Sequence, residues 1–395
     1  MEIGIVGKPN VGKSTFFSAA TLAKAEIASY PFTTIEPNRG VAYVRAKCPH
    51  IDFNVKCSPK NAKCVKGIRY VPVEAIDVAG LVPDAHKGKG LGNKFLDDLR
   101  QASALIHIVD ASGGTDLEGN PCSIGSHDPV EDVLFLEKEL TFWMKSILAK
   151  GWEKVARQAD SEKTKIETLL ADRLTGLGIT EHEVKLAMRN CGLPENFKEW
   201  NEENLFSLTS SIREISKPII IAANKCDIAS KENLEKLKKL DCTVIPTSAE
   251  SELALRRAAK AELVDYDPGS DDFKIIEKGK LNEKQIHGLD FIREKMKEFG
   301  GTGIQACIET AVFKLLDIIV VYPVEDENKL TDKDGNVLPD AYLMKKGSTA
   351  GELAYKIHTD IGKNFIRAID AKTKRIIGAD HVLKDGDVIK IVAKV

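Results

Sequence analysis

The chain has 395 residues, long enough for two or three domains, and it is 43% hydrophobic against 29% charged, the balance of a soluble protein with more than one core. With 57 Lys and Arg against 59 Asp and Glu, the net charge of −2 excludes a uniformly basic nucleic-acid coat but leaves room for a local basic patch. No run approaches the length of a membrane span, the start reads as a strand rather than a secretory leader, and eight scattered cysteines predict reduced thiols in the cytoplasm.

The first predicted strand, Glu2-Ile3-Gly4-Ile5-Val6, runs into Gly7-Lys8-Pro9-Asn10-Val11-Gly12-Lys13-Ser14-Thr15, which fits the phosphate-binding pattern G-x-x-x-x-G-K-[ST]. Its glycines let successive backbone N–H groups point inward around a phosphate, and the helix that follows adds the favourable end of its dipole. Lys13 is expected to reach the β- and γ-phosphates and the Ser14 hydroxyl to ligate magnesium. A strand over 71–76 then leads into Asp77-Val78-Ala79-Gly80, where the carboxylate can hold magnesium through water and the Gly80 N–H can sense the γ-phosphate.

Between these two motifs lie Cys48, His50, Cys57 and Cys64, four ligands of the soft and imidazole type that zinc takes. Their spacing fits no standard knuckle, so the segment reads either as a zinc site or as reduced thiols in a loop made basic by Lys47, Lys56, Lys60, Lys63 and Lys66.

A strand over 104–110 and a Gly- and Ser-rich loop over 111–127 follow. Val130, Val133, Leu134, Leu136, Leu140 and Trp143 recur at helical spacing, Ile166, Leu169, Leu170 and Leu174 mark another helix, and Thr180-Glu181-His182-Glu183 reads as a capping box opening a further one. The 144 residues from Gly80 to Asn224 exceed what a minimal nucleotide-binding domain needs, which predicts an inserted helical module over about 128–215, a hairpin projecting from that domain, with Trp143 and Trp152 packing its helices.

A buried strand over 218–223 ends in Asn224-Lys225-Cys226-Asp227. The Asp227 carboxylate can accept from both the N1–H and the 2-amino group of guanine, a bidentate pair that adenine cannot supply. A helix over 231–240 and a short strand precede Thr247-Ser248-Ala249, where Ser248 and Ala249 can contact the base from the other side. Four motifs in this order, each after a strand, distinguish the chain from a P-loop small-molecule kinase.

Beyond residue 250 a helical linker region is predicted to 316, and the glycines at 300–303 lack a phosphate-binding lysine. From 317 the pattern becomes strand-rich, with a turn at Asp334-Gly335, a helix opening near Thr349, and later strands over 365–369 and 388–392. Residues 341–384 hold nine Lys or Arg and four Asp or Glu, a local positive excess.

The order of motifs resembles the translation-factor-related GTPases. Ala28-Ser29-Tyr30-Pro31-Phe32-Thr33-Thr34-Ile35-Glu36-Pro37-Asn38 resembles the first switch of the Obg-like GTPases, and Leu81 with Asn93-Lys94-Phe95-Leu96 is similar to their YchF branch. The tail resembles the TGS domain, a ubiquitin-like β-grasp. The resemblance implies an α/β fold: a P-loop GTPase domain over 1–250 with the helical insert, the linker over 251–316, and a TGS-like domain over 317–395. It implies that Thr33 or Thr34, with Thr34 favoured, closes over magnesium and the γ-phosphate. Leu81 stands where many small GTPases place a water-orienting glutamine, so hydrolysis is expected to be slow and assisted from elsewhere. His86 is one candidate, against a solvated loop histidine. Potassium held by Asn10 is another, against an asparagine that merely shapes the loop. Many YchF-type proteins carry glutamate where this chain has Asp227 and prefer ATP, so this chain departs toward GTP. The family further implies a ribosomal, rRNA or tRNA partner reached through the TGS-like domain or the insert, no membrane, and a monomer. Three functional readings follow: a GTP-hydrolysing switch, a nucleotide-gated interaction module with incidental hydrolysis, and an ATP-preferring hydrolase of the same fold.

Overall fold

The computed structural model describes residues 1–21, 38–78, 98–162, 165–194 and 196–394. The described chain clusters into two compact units, one of residues 1–19, 38–40 and 74–307, the other chiefly of residues 41–73 and those from 308 onward. The strands are, in chain order, β1 (Glu2–Val6), β2 (Arg39–Lys47), β3 (Lys63–Val65), β4 (Ile68–Asp77), β5 (Ala102–Asp110), β6 (Ile219–Asn224), β7 (Val244–Pro246), β8 (Val264–Asp265), β9 (Lys274–Ile275), β10 (Ile318–Val324), β11 (Tyr342–Lys345), β12 (Phe365–Asp370), β13 (Ile376–Ile377) and β14 (Val388–Ala393).

In the first unit the end of β4, then β1, β5, β6 and β7 pair in that order, all parallel. These strands are near-continuous apolar runs because helices cover a parallel sheet on both faces. Ile3, Ile5, Val6, Leu105, Ile106, Ile108, Val109, Ile220 and Ile221 are all buried. Register brings Ile5 opposite Asp77 and Asp110 opposite Asn224, so the carboxyl ends of the strands carry their polar residues to one edge.

The insert comprises five helices rather than a single hairpin. Helices Pro129–Ala149, Trp152–Glu162, Ile166–Leu174, Glu181–Cys191 and Glu202–Ser216 occupy it, and their Leu136, Leu140, Leu170, Val184, Leu205 and Ile212 share one core with Val6, Ile76 and Leu105 of the sheet. The first of them packs on β5, and the others pack on it and on one another, so the helical core runs on into that of the sheet. The Asp128 cap, Pro129 in the first turn and the Thr180–Glu183 capping box start two of the helices as their residue types dictate. Trp143 is buried, and Trp152 stacks on Trp200 with ring centroids 5.2 Å apart. The chain after β7 stays in this unit: Glu252, wholly buried in helix Ala249–Lys260, accepts from Tyr266 Oη at 2.6 Å, from Arg256 Nε at 2.5 Å and from the Thr302 hydroxyl. The glycines at 300–303 serve packing: Gly303, at φ +82°, lies so close to the Pro246 carbonyl that a Cβ would overlap it.

In the second unit β10 and β14 pair in parallel, β11 flanks β10 and β12 flanks β14 antiparallel, and β13 closes the edge. Helix Ala350–Ile357, opened by a Thr349–Glu352 capping box, packs Leu353 against Ile319, Val321, Ala368 and Ile389. This mixed sheet with a crossing helix is the expected β-grasp. The hairpin β3–β4 also belongs to this unit, with Lys63 opposite Tyr70 and Val65 opposite Ile68.

Candidate nucleotide site

Between β1 and helix Lys13–Thr21 the loop Gly7–Gly12 turns at the edge where the parallel strands end. The turn requires Gly12: its φ is +92°, and a Cβ there would overlap the Asn224 amide. The Phe16 N–H donates to the Gly12 carbonyl at 2.9 Å and begins the helix, leaving Ser14 exposed and Thr15 half-buried in its first turn. Lys13 Nζ forms an ion pair with Asp77 Oδ1, so strand β4 delivers its terminal carboxylate to the loop lysine.

Lys8, inside the loop, turns the other way. Its ammonium is buried, donates to the Thr115 carbonyl at 3.0 Å and pairs with Asp132 at 2.7 Å, which leaves only its backbone N–H for the loop. Pro9 is exposed, Gly7 and Val11 are buried, and Asn10 adopts φ 64° while its Nδ2 donates to the Gly119 carbonyl at 2.9 Å.

The Asn-Lys-x-Asp segment is joined to this loop by two hydrogen bonds. Asn224 Nδ2 donates to the Val11 carbonyl at 2.8 Å while its Oδ1 accepts from Ala249 N at 3.0 Å, tying P-loop and final loop through one amide. Lys225, at φ 60°, donates to the Asn10 carbonyl at 3.1 Å and pairs with Asp110 at 2.7 Å. Asp227 is half-buried with no side-chain partner among the described residues. Ser248 donates to Ser251 Oγ at 2.8 Å, and its N–H donates to the Thr302 carbonyl at 2.9 Å. Thr33, Thr34, Gly80, Leu81 and His86 lie outside the described residues.

Sequence reasoning missed Asp110. It is buried at the end of β5, accepts from Ser112 N at 3.0 Å, from Ser112 Oγ at 2.5 Å and from Thr115 Oγ1 at 3.2 Å, and fixes Lys225. The available signal was a carboxylate ending an otherwise apolar strand and followed by Ser112 and Thr115. Asp132 was equally silent, since an acidic residue in a first helical turn reads as dipole compensation.

In the second unit Cys48, His50, Cys57 and Cys64 converge, with their ligand atoms all within 4.8 Å of one another. Burial pushes the Cys64 thiol up to about 12. Burial also raises the Cys48 thiol, but hydrogen bonding to His50 and the adjacent Arg69 guanidinium outweigh it and bring the group down to about 7.

A P-loop, a strand-end carboxylate beside its lysine and an Asn-Lys-x-Asp loop locked onto it define a P-loop GTPase fold. Sequence profiles agree: one described as a 50S ribosome-binding GTPase matches residues 2–137, the G4 motif-containing domain of YGR210-like Obg-like GTPases matches 222–326, and the TGS domain matches 330–393. A GTP-binding protein of Methanocaldococcus jannaschii is 57% identical over 394 residues, covering 99% of this chain and 98% of that one. The ribosome-binding ATPase YchF of Bacillus subtilis is 29% identical over 417 residues, covering 98% of each. The crystal structure of a GTP-binding protein from Pyrococcus horikoshii OT3 superposes with a TM-score of 0.79 at 44% identity over 100% of both chains. The chain therefore belongs to the Obg-like, YchF-type family of P-loop GTPases with a C-terminal TGS domain. No helix among the described residues is long and apolar enough to cross a membrane.

Proposed function

We propose that this chain binds GTP with magnesium, hydrolyses it slowly, and uses its nucleotide state to set how it engages ribosomal RNA or tRNA in the cytoplasm. The observation that carries the reading is the pair of bridges from Asn224 to Val11 and from Lys225 to Asn10, which hold the base-reading loop against the phosphate loop and leave the Asp227 carboxylate without a competing partner among the described residues.

The residues present suit the ion. Ser14, exposed in the first helical turn, and Asp77, at the end of β4, offer the oxygen ligands magnesium takes. When bound, the ion neutralises charge on the β- and γ-phosphate oxygens. Lys13 moves from its Asp77 contact onto those oxygens, and backbone N–H groups of Gly7–Thr15 hold them in place. Thr34 and Gly80 take the γ-phosphate side, and His86 or a potassium ion beside Asn10 supplies the help that Leu81 withholds from the attacking water. Asp227 selects guanine, with Ser248 and Ala249 beside the base. The partner reading rests on the TGS profile and on the positive excess over 341–384.

Turnover of GTP and ATP, measured in sodium and in potassium with and without ribosomes, tests this reading. GTP preference with acceleration by potassium or ribosomes is expected. No acceleration under any condition would favour the interaction-module reading, and faster ATP turnover would overturn the guanine assignment.

A further inference from the structure

We propose that Cys48, His50, Cys57 and Cys64 form a structural zinc site, and that the metal fixes the 48–64 loop as the shelf on which the segment 332–341 rests. This site is separate from the nucleotide chemistry. Cys48 follows β2, His50 opens a single helical turn at His50–Phe53, Cys57 lies in the loop, and Cys64 is in β3. Cys48 Sγ and Cys57 Sγ are 4.0 Å apart, and His50 Nδ1 lies 3.4 Å from Cys57 Sγ and 3.6 Å from Cys64 Sγ. Bonds of about 2.3 Å to sulfur and about 2.0 Å to nitrogen in a tetrahedron would place sulfurs about 3.8 Å apart and sulfur about 3.5 Å from nitrogen. These three distances match that tetrahedron, the remaining pairs lie within 4.8 Å, and all eight cysteines are free of disulfides.

Arg69 supplies an independent argument. Its side chain is wholly buried, with Nη2 3.4 Å from Cys48 Sγ and 3.0 Å from the Leu338 carbonyl, and its guanidinium lies over the Tyr322 ring at 5.5 Å. It forms no salt bridge with a carboxylate among the described residues, the half-buried Asp340 feeling its charge without bonding to it, and its Nε and Nη1 have no hydrogen-bond partner there. A buried cation needs a compensating anion. Three thiolates and a neutral imidazole around a divalent ion carry one net negative charge, which Arg69 balances.

Burial holds the loop only near its ends, at Cys48, Pro49 and Ala62, while Ile51 and Val55 between them are exposed. Yet its backbone is bonded with care: Ser58 N donates to the Val337 carbonyl at 2.9 Å and Lys60 N to the Pro339 carbonyl at 2.7 Å. Asn61 exchanges two hydrogen bonds with Ala341, at 3.1 and 2.9 Å, and Lys60 pairs with Asp332 at 2.6 Å. A cross-linking metal is the way a short loop without a core holds such a pattern.

The test uses the full chain purified with zinc in the medium and no chelator. Elemental analysis should find one zinc per chain, and cobalt exchange should give the thiolate charge-transfer and d–d bands of a tetrahedral site. C57S and C64S should each lose the metal. Because those variants can misfold, the wild type is also stripped with a thiol-reactive mercurial plus chelator. Hydrogen exchange at Ser58, Lys60 and Ala341 should then speed by at least about tenfold while GTP affinity is unchanged. A folded, nucleotide-binding protein that lacks stoichiometric zinc, or that holds another metal or a disulfide there, overturns the site. Stoichiometric zinc whose removal leaves those amides protected overturns the shelf.

Discussion

The ammonium of Lys8, one residue into the phosphate loop, lies 2.7 Å from the carboxylate of Asp132 in the first helix of the insert, and both side chains are buried. His127 Nε2 reaches the same carboxylate oxygen at 2.8 Å. The Gly7–Gly12 loop is thereby bonded directly to the insert. Removing one partner of a buried pair leaves a stranded charge and costs about 3–5 kcal/mol, whereas replacing both by apolar residues costs less. K8M is therefore expected to destabilise the protein by about that amount, and K8M/D132L by less than K8M alone. Urea unfolding of the singles and the double decides it, and additive losses would count against the coupling.

The base-reading assignment makes a sharper claim on D227A. Loss of a bidentate, charge-assisted pair should lower the preference for GTP over ATP by roughly two orders of magnitude. Competition binding with the two nucleotides measures it. An unchanged ratio would mean that guanine is read elsewhere.

K13M should leave the fold intact, since Lys13 stays partly accessible, but lower kcat for GTP by about a hundredfold or more through lost γ-phosphate stabilisation. A milder loss confined to KM would mark Lys13 as a binding residue only. Single-turnover kinetics separate the two.

His107 gives a pH prediction. It lies opposite Val6 in the sheet with its Nδ1 unpartnered, and burial, aided by the positive charge of Lys8, pushes its imidazole down to about 3. In the unfolded chain it titrates near about 6.5, so between those values the unfolded state binds a proton that the folded state refuses. The contribution is whole above about pH 6.5 and is lost as pH falls toward 3, by ~1.4 kcal/mol per pH unit. H107L should flatten the acid limb of stability by that slope. Urea midpoints across pH 4 to 7 show it, and parallel slopes for the two proteins would refute it.

Much of this was legible in the chain alone. Lys13, Asp77 and Asn224 stand where their motifs place them, because strand, loop and helix are local structures read off a short span. The capping box at Thr180 and the packing roles of Trp143 and Trp152 were equally readable. Asp110 and Asp132 were not, since an isolated carboxylate carries no pattern and its partners lie far along the chain. Nor was the packing within the insert readable, because helical periodicity reports that a face is apolar and not which surface covers it.

Residue types at short spacing were enough to read the phosphate-loop pattern, the order of motifs along a parallel sheet, the β-grasp tail and the four metal-type ligands. Folding in three dimensions was needed to pair Lys8 with Asp132, to set Asn224 between two loops, to run the insert's core into that of the sheet, and to bury Arg69 against Cys48. Those outcomes come from partners brought together across tens to hundreds of residues, where the need to pair every buried charge and cover every apolar face selects among arrangements that local sequence leaves equal.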